Sequence, residues 1–395
     1  MKFRFLTSGE SHGECLNVII EGVPSEVEIN EEQINAELAR RQGGYGRGGR
    51  MQIEKDKVKI KSGVRFGIST GAPICLEITN KDYQNWLIPM STSAVDMQNP
   101  EITKLVEDKK ITKLRPGHAD FAGAMKYNHT DIRNILERSS ARETAARVAV
   151  GAVAKCVLKH FGINICSFVY QIGKVNIDAT VCMPYEDIIE LTNRSEILCV
   201  DEETEEKMKQ EIDKAQELGT TLGGKFEVRA YNVPVGLGSF VHWDRKLDAK
   251  LAYAFMSINA VKSVEIGDAQ KASEAFGFDY HDEIYYENSS FNHRTNNCGG
   301  IEGGMSNGEP IIIKSVMKPI PTMKTPLKSV DLKTKETYEA HFERSDSCAV
   351  PACAIVGEAM CAIVLVDEFL TKFGGDSITE ISANYEHYKK MLETR

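Results

Sequence analysis

Strand-like runs and helical segments are mixed along the whole chain, and this mixture restricts its fold class. Five runs rich in β-branched residues predict half-buried strands: Leu16–Glu21, Val58–Ile60, Ile74–Ile78, Lys225–Ala230 and Ile311–Met317. Four segments carry helix-start or periodicity signals: Asn30 to Arg40, Ser140 to about Gly162, 202–218, and a C-terminal helix over about 377–393. Long helices combined with such strands indicate an α+β protein.

The overall composition excludes several classes of protein. Hydrophobic residues make up 42% and charged residues 27% of the 395, which is typical of a soluble globular protein. The formal net charge of −9 disfavours a generic nucleic-acid-binding surface. The N-terminus has no apolar core that predicts a signal peptide, and we count no run that approaches the roughly 20 apolar residues of a membrane span. We therefore expect a soluble, cytoplasmic protein.

The ten cysteines are scattered and include no CxxC pair. Several, such as Cys156 and Cys361, lie inside apolar runs. This pattern predicts reduced, buried thiols rather than a disulfide framework or a zinc site.

The segment from Arg40 to Arg50 contains four arginines and five glycines in eleven residues. Glycine at this density lets a backbone approach a ligand closely, and the planar guanidinium group matches carboxylate and phosphate oxygens two at a time. The segment therefore favours a site for a small, multiply charged anion. The alternative is a mobile, solvated basic loop.

Two glycine-containing turns present histidines. Gly9-Glu10-Ser11-His12-Gly13 matches the pattern of hydrolase nucleophile elbows, but a strand and not a helix is predicted directly after it, so we reject a serine hydrolase. His12 remains a candidate proton donor to a leaving group, against the alternative of a surface turn. In Arg115-Pro116-Gly117-His118-Ala119-Asp120, proline and glycine fix a turn in which Asp120 is in range to orient His118.

The segment Glu137-Arg138-Ser139-Ser140-Ala141-Arg142-Glu143 is the strongest local signal. The start of a helix offers free backbone N–H groups and a partial positive charge, to which serines and arginines add donors for an anion. The alternative is that Ser140 only caps the helix and that the arginines pair with Glu137 and Glu143. Residue chemistry alone thus predicts a soluble enzyme for a small phosphorylated, carboxylated substrate, and it gives no reason to choose a flavin.

Eight motifs occur in an order that resembles the chorismate synthase family: GESHG, RRQGGYGRGGRM, RPGHAD, ERSSARET, SINAVKSVEIG, RTNNxGGIEGGMSNG, MKPIPT and ERSD. The resemblance runs from about Phe5 to about Leu370 and is weakest over roughly 165–220. Ser347 stands where the family commonly has proline, and Cys353 is also less usual. We expect both departures to alter loop stiffness more than chemistry.

The resemblance implies a fold and an activity. The fold would be a β-α-β sandwich with a helical layer between antiparallel sheets, in one domain over residues 1–395 with a peripheral C-terminal helix, assembled as a homotetramer. The activity would be the anti-1,4 elimination of phosphate from 5-enolpyruvylshikimate 3-phosphate, which gives chorismate in the shikimate pathway of aromatic amino-acid biosynthesis. The family needs reduced FMN, with NADPH as candidate reductant, directly or through a separate flavin reductase.

The resemblance also implies roles for individual residues. His12 would be the acid for the departing phosphate, His118 would lie beside the flavin, and Asp346 and Ser11 would be polar partners of the flavin. The substrate's two carboxylates and phosphate, about four negative charges, would meet Arg41, Arg47, Arg50, Arg115 and Arg142. The cofactor contacts would be Arg138, Ser139, Ser140, Asn259, Ala260, Gly303, Lys318, Pro319, Ile320, Pro321, Thr322 and Arg344. No metal is implied.

Two other classes of function remain as alternatives. An RNA-binding protein could use the Arg/Gly segment with Tyr45 as a stacking ring, and salt-dependent retention on RNA would reveal it. The acidic net charge counts against this class. A phosphosugar kinase or isomerase would share the arginines but would have no flavin requirement.

Overall fold

The computed structural model describes residues 2–48, 55–177, 183–287, 290–340 and 346–394. Its strands are β1 Arg4–Ser8, β2 Cys15–Glu21, β3 Val58–Ser62, β4 Val64–Arg65, β5 Ile68–Ser69, β6 Ile74–Thr79, β7 Asn164–Ile172, β8 Val175–Asn176, β9 Gly224–Tyr231, β10 Val261–Ile266, β11 Ile284–Glu287, β12 Ser290–His293, β13 Ile301–Glu302, β14 Met305–Ser306, β15 Ile311–Met317, β16 Lys328–Val330 and β17 Thr337–Glu339. Its α-helices are α1 Glu31–Gln42, α2 Pro100–Lys109, α3 Asp120–Tyr127, α4 Arg133–Ser139, α5 Thr144–His160, α6 Tyr185–Arg194, α7 Glu202–Glu217, α8 Leu247–Met256, α9 Ala269–Glu274, α10 Gly277–Tyr280, α11 Val350–Phe373 and α12 Ile378–Glu393. All five predicted strands and all four predicted helices are present.

Two antiparallel sheets form the outer layers. The first has the strand order β1-β2-β6-β3 and the second the order β10-β15-β9-β7-β8. Alternate residues of β2 and β9 are buried on the inner faces, as the period-2 pattern requires: Leu16, Val18 and Ile20, and Phe226, Val228 and Ala230. Each sheet therefore presents an apolar face that another layer must cover.

A layer of helices lies between the two sheets. Helix α5 contacts β1 and β2 of the first sheet, α11 contacts β7 and β9 of the second, and the two helices pack on each other. Their crossing is close at Gly151, where an added Cβ would lie 2.3 Å from the Cβ of Ala359. The expected architecture of a helical layer between antiparallel sheets is therefore confirmed.

Helix α11 was not predicted from the sequence, and it corrects one expectation. This helix of 24 residues is long and apolar enough, by length and composition alone, to cross a membrane. The expectation that no run of the chain approaches the apolar length of a membrane span was therefore wrong. However, 83% of its apolar window is buried inside the protein, between α5 and the second sheet. This is the environment of a core helix.

The start of α5 also differs from the prediction. Ser140 caps a turn of 3₁₀-helix over Ala141–Glu143, accepting the N–H of Arg142 at 3.2 Å, and α5 begins only at Thr144. Asn30 and Ser377 cap α1 and α12 as predicted. None of the nine described cysteines is in a disulfide, and no group of metal-ligating residues occurs among the described residues; Cys182 lies outside them.

Candidate active site

Loops and helix ends from both sheets and the helical layer surround a cavity of about 470 Å³. The segments that line it are the turn between β1 and β2, the loop after α1, the turn before α3, the junction of α4 and α5, the loops after α8 and β15, and the start of α11. Sixteen residues predicted for the site line it: Ser11, His12, Arg41, Arg47, Arg115, His118, Ser139, Ser140, Arg142, Asn259, Ala260, Lys318, Ile320, Pro321, Thr322 and Asp346. Segments far apart in sequence therefore converge on one cavity.

Arg41 and Arg142 share the buried carboxylate of Asp56. Arg142 Nη1 lies 2.5 Å from Asp56 Oδ1, whereas Arg41 Nη1 lies 3.5 Å from Oδ2. Among the described residues, Arg41 Nη1 and Arg142 Nη2 have no hydrogen-bond partner, although both atoms are buried. Burial, assisted by the nearby Arg47 and Arg142, lowers the pKa of Arg41 to about 10. Buried donors without a partner are costly, so this pair is arranged for an anion.

The glycine-rich loop after α1 brings Arg47 to the cavity. Arg47 Nη1 lies 2.7 Å from Asp346 Oδ2, and the N–H of Gly48 donates to Asp346 Oδ1 at 2.7 Å. Gly46 has a φ of +80°, and an added Cβ would lie 2.7 Å from Ile212. The loop therefore needs glycine at this position to pack against α7.

The turn before α3 forms the second basic centre, as its sequence predicted. Asp120 accepts from Arg115 Nε at 2.9 Å and Nη2 at 3.0 Å, and its Oδ1 lies 2.5 Å from His118 Nδ1. Burial would raise the pKa of Asp120, but hydrogen bonds from His118 and Arg115 hold that pKa well below its usual range. Asp120 therefore remains a carboxylate that fixes both side chains.

His12 is held by a carboxylate in the neighbouring helix α4. Its Nδ1 lies 2.8 Å from Glu137 Oε1, and its backbone N–H donates to Glu137 Oε2 at 2.7 Å. The ring of Trp86 lies 4.1 Å from the imidazole, centroid to centroid. His12 is thus a fixed, nearly buried imidazole in the cavity wall.

The remaining polar lining comes from serines and an asparagine. Ser140 Oγ lies 3.2 Å from Ser11 Oγ, and the amide of Asn259 donates to the carbonyl of Ser139 at 3.0 Å. Next to it, Ala260 has a φ of +69°, a conformation that residues other than glycine seldom adopt. Such strain is found at functional sites, where surrounding structure maintains it.

The lining fits two kinds of ligand. Five cationic side chains, Arg41, Arg47, Arg115, Arg142 and Lys318, line the cavity among the described residues, whereas Asp346 is the one carboxylate that does. Apolar side chains from α4, from the loops after α8 and β15 and from α11 line the cavity as well, among them Leu136, Ile258, Ile320, Pro321 and Val356. Cys353 of α11 is also in the lining, and burial raises the pKa of its thiol to about 12. Cations suit a multiply charged anion, and the apolar surface suits a flat ring system.

Several predicted residues lie elsewhere. The guanidinium of Arg138 donates to the carbonyls of Thr7 and Gly9, and Gly303 lies in the turn between β13 and β14. Neither these two nor the exposed Pro319 is among the described residues that line the cavity. Arg50 and Arg344 lie outside the described residues.

Neither the place of Asp56 in the site nor the contact of Glu137 with His12 was predicted from the sequence. Glu137 was expected as an ion-pair partner of Arg138 or Arg142, but in the structure it pairs with His12 instead. Arg142 contacts Asp56 and Asn80, and Glu143 pairs with Arg147. These pairings join distant segments, and a local motif carries no signal for them.

Comparisons with known proteins agree with this geometry. A sequence model of the family described as chorismate synthase matches residues 3–370. The chain is similar to the chorismate synthase of Geotalea uraniireducens, with 53% identity over 399 residues and 99% of each chain covered. It is equally similar, at 53% identity over 390 residues, to that of Desulforamulus reducens, with 98% of this chain and 99% of the relative covered.

A solved structure titled "Crystal Structure of Chorismate Synthase" matches the fold with a TM-score of 0.80 at 40% identity, and it covers 100% of this chain and 99% of that chain. The family model and the relatives cover nearly the whole chain at high identity. The chain therefore belongs to the chorismate synthase family, the carbon–oxygen lyases of the shikimate pathway.

Proposed function

We propose that the protein removes phosphate from 5-enolpyruvylshikimate 3-phosphate by an anti-1,4 elimination that yields chorismate, with a requirement for reduced FMN. The reaction breaks one C–O bond and one C–H bond and has no net redox change. The observation that carries the proposal is that buried guanidinium nitrogens of Arg41 and Arg142, in the same cavity as His12, make no hydrogen bond to the described residues. This arrangement favours an anionic ligand and offers an acid beside it.

The arginines would bind the anionic groups of the substrate. Arg41, Arg47, Arg115 and Arg142 all line the cavity, and Arg50 is proposed from the family motif. Because guanidinium groups bind carboxylate and phosphate in a bidentate manner, four or five of them match a ligand with about four negative charges. His12 would donate a proton to the oxygen of the departing phosphate.

The same cavity would hold FMN. Ser139, Ser140, Asn259, Ala260 and Lys318 to Thr322 are proposed contacts, together with Arg138, Gly303 and Arg344 from the family motifs. When bound, the reduced flavin supplies electron density for C–O cleavage. His118, fixed by Asp120, would stabilise negative charge on the ring, and Ser11 and Asp346 would hydrogen-bond to it.

An anaerobic assay tests the proposal. One cuvette contains 5-enolpyruvylshikimate 3-phosphate with chemically reduced FMN, and a second contains oxidised FMN with NADPH; chorismate absorbance and released phosphate are followed in both. Turnover in the first cuvette supports the lyase activity. Turnover in the second shows in addition that the protein reduces its own flavin with NADPH. Turnover in the first alone favours a separate flavin reductase as partner. Folded protein that binds FMN but is silent in both cuvettes contradicts the proposal.

Two variants test the histidine roles. We expect His12→Ala to lower turnover by roughly 10²–10⁴-fold, the range of general acid catalysis, and His118→Ala to lower it by roughly 10²–10³-fold, the range for loss of one electrostatic donor. Bound FMN is measured in parallel by fluorescence quenching. Near wild-type turnover in both variants, with FMN bound, would show both roles to be wrong.

We further propose that the chain is one domain over residues 1–395 that assembles as a homotetramer and works in the cytoplasm. Exposed aromatic side chains such as Trp243 and Tyr253 support assembly, because large apolar exposure marks interfaces. The unpaired state of the nine described cysteines supports a reducing compartment. Light scattering coupled to gel filtration measures the mass of the assembly, and the mass of a monomer would contradict the proposed homotetramer.

A further inference from the structure

One residue of helix α4, Glu137, fixes two adjacent polar residues of the turn between β1 and β2, Ser11 and His12. Its backbone carbonyl accepts the N–H of Ser11 at 3.0 Å. Its carboxylate accepts the N–H of His12 through Oε2 at 2.7 Å and contacts His12 Nδ1 through Oε1 at 2.8 Å. The side chain of Glu137 is only 1% exposed, so the contacts with His12 are shielded from solvent.

This geometry determines which nitrogen of His12 bears hydrogen. An ionised carboxylate only accepts hydrogen bonds, so Nδ1 must be the donor to Glu137. The other ring nitrogen, Nε2, is then the one left for a ligand. Trp86, whose ring lies at 4.1 Å and 31° to the imidazole, limits how the ring can turn.

The second histidine has a carboxylate partner of a different kind. Asp120 contacts His118 but also accepts two hydrogen bonds from the guanidinium of Arg115, so its charge is already balanced. Glu137 contacts a guanidinium, that of Arg133, only at 3.4 Å. Glu137 therefore gives its closest side-chain contact to His12, whereas Asp120 divides its oxygens between His118 and a guanidinium group.

We propose that Glu137 is the positioning residue of His12: it holds the Nδ1–H tautomer and stabilises the imidazolium, so that Nε2 delivers its proton to the departing phosphate oxygen. This inference rests on the proposed function for the proton transfer but not for the tautomer. In the transfer the Nε2–H bond breaks and an O–H bond forms on phosphate. The neutral imidazole keeps its proton on Nδ1 and the hydrogen bond from that proton to Glu137.

The test is the isosteric variant Glu137→Gln. A glutamine side chain has only one accepting oxygen, and the backbone N–H of His12 requires it. The NH₂ group of the glutamine would then face Nδ1 of His12, which must accept a hydrogen bond. The neutral imidazole would therefore be forced into the Nε2–H tautomer. We expect turnover at pH 7.5 to fall by about 10- to 100-fold. Because the imidazolium loses its carboxylate, the His12 limb of the pH–rate profile should move to lower pH by about one to two units, and turnover should largely recover there.

Two controls separate positioning from a structural role. Glu143→Gln changes a neighbouring buried glutamate that bonds to Thr7 and Arg147 instead of a histidine, and it should leave the pH–rate profile in place. In a His12→Ala background, Glu137→Gln should cause no further loss, because the two residues act as one unit. FMN affinity should be unchanged in all of these variants.

The decisive readout depends neither on turnover nor on a substitution of Glu137. Protein labelled with ¹⁵N-histidine, with His12→Ala used for assignment, should show His12 protonated at Nδ1 when neutral. An Nε2–H tautomer in the wild type would overturn the inference. The inference would also be overturned if Glu137→Gln left the pH–rate profile unshifted and lowered turnover by the same factor in the His12→Ala background as in the wild type. Absence of wild-type turnover with reduced FMN would instead contradict the proposed function.

Discussion

Arg40 and Arg41 are neighbours at the end of α1, yet they enter two different buried clusters of charge. Arg40 points to the Glu358 cluster, which consists of Glu37, Arg40, Lys155, Ser167 and Glu358. Arg41 points to the arginine cluster, which consists of Arg41, Arg47, Asp56, Arg142 and Asp346. Successive residues on a helix project about 100° apart, so adjacent arginines face different neighbours.

The Glu358 cluster is balanced and internally satisfied. Glu358 accepts from both Nη atoms of Arg40 at 2.7 and 2.8 Å, from Lys155 Nζ at 2.5 Å and from Ser167 Oγ at 2.6 Å. Burial alone would raise the pKa of Glu358, but Arg40 and Lys155 lower it to about 2. In return, Glu358 raises the pKa of Arg40 well above its ordinary value, against the effect of burial. The cluster joins α1, α5 and α11 to β7.

Among the residues that the structure describes, the arginine cluster is neither balanced nor satisfied. Three guanidinium groups there face two carboxylates, and buried nitrogens of Arg41 and Arg142 have no hydrogen-bond partner in that part of the chain. Burial lowers the pKa of Arg41 to about 10, whereas the pKa of Arg40 is raised. A folded protein tolerates such a cluster when a ligand completes it.

The difference separates a structural use of buried charge from a functional one. A cluster whose donors and acceptors match holds helices together, and removing one partner leaves an uncompensated charge. A cluster with excess donors stores binding capacity for an anion. The chain places the two side by side, so the structural cluster fixes the helix that carries the functional arginine.

The largest expected effect comes from substituting the two neighbours in parallel. Arg40→Met should lower the free energy of unfolding by about 3–5 kcal/mol, because Glu358 loses its bidentate partner inside the protein. Arg41→Met should change it by less than about 1 kcal/mol, since Thr144 and Ala141, its hydrogen-bond partners, also bond to each other at 2.6 Å. Its kcat/KM should fall by about 10²–10³-fold. Urea denaturation at one protein concentration and steady-state kinetics measure the two effects.

The comparison fails if the two variants lose stability equally, or if Arg40→Met, when folded, loses as much kcat/KM as Arg41→Met. Either result would mean that the two clusters act as a single unit. The matched side chain, methionine, keeps the apolar stem in both variants, so differences in packing are small.

Much of the layered fold could be predicted from the sequence, because its strands and capped helices carry local signals. The runs Ile74–Ile78 and Ile311–Met317 became β6 and β15 almost without change. Helix α11 could not be predicted in the same way. It is buried on almost every face, between α5 and the second sheet, and so its apolar residues follow no amphipathic period.

From residue chemistry alone the site could be predicted only as a set of cations, histidines and serines, and the other lining residues, such as Asn259 and Asp346, came from the resemblance to the family. Motifs indicated His12, His118 and the arginines, because glycine and proline turns mark positions where side chains are presented. Their partners could not be read in the same way: Glu137 lies 125 residues from His12 in sequence, and Asp56 lies 86 residues from Arg142. The resemblance assigned Arg41 and not Arg40 to the substrate, but no local signal explains that difference, because only the packed helices decide which carboxylate each arginine meets.

The second effect is stabilisation by substrate. Without flavin, 5-enolpyruvylshikimate 3-phosphate at 100 times its Kd should raise the free energy of unfolding of the wild type by about 2.7 kcal/mol. The same increment is expected for Arg40→Met, because its arginine cluster is intact. At the same concentration, Arg41→Met should gain less than about 0.5 kcal/mol if its Kd rises about 100-fold. Thermal unfolding with and without substrate measures the increments, and equal increments in all three proteins would contradict the assignment.

The third effect is the acid dependence of the Glu358 cluster. The pKa of Glu358 in the folded protein, about 2, lies below its ordinary value, so its contribution to stability is present above about pH 4.5 and is lost as the pH falls towards 2. The stability difference between the wild type and Glu358→Gln should therefore narrow by about 1.4 kcal/mol between pH 6 and pH 3.5. A difference that is constant over this range in urea titrations would show that Glu358 is not the ionised centre of its cluster.

The smallest effect should come from Glu37, the outer carboxylate of the Glu358 cluster. Its side chain is 21% exposed, and it contacts Arg40 at 3.0 Å and Lys155 at 2.7 Å. Since Glu358 still compensates both cations, and water reaches Glu37, we expect Glu37→Gln to lower the free energy of unfolding by at most about 1 kcal/mol and to leave kcat/KM unchanged. A loss as large as that of Arg40→Met would place the anchoring charge at Glu37 instead. It would also mean that the Glu358 cluster differs from the arginine cluster because its cations and anions are equal in number, and not because Glu358 is fully buried.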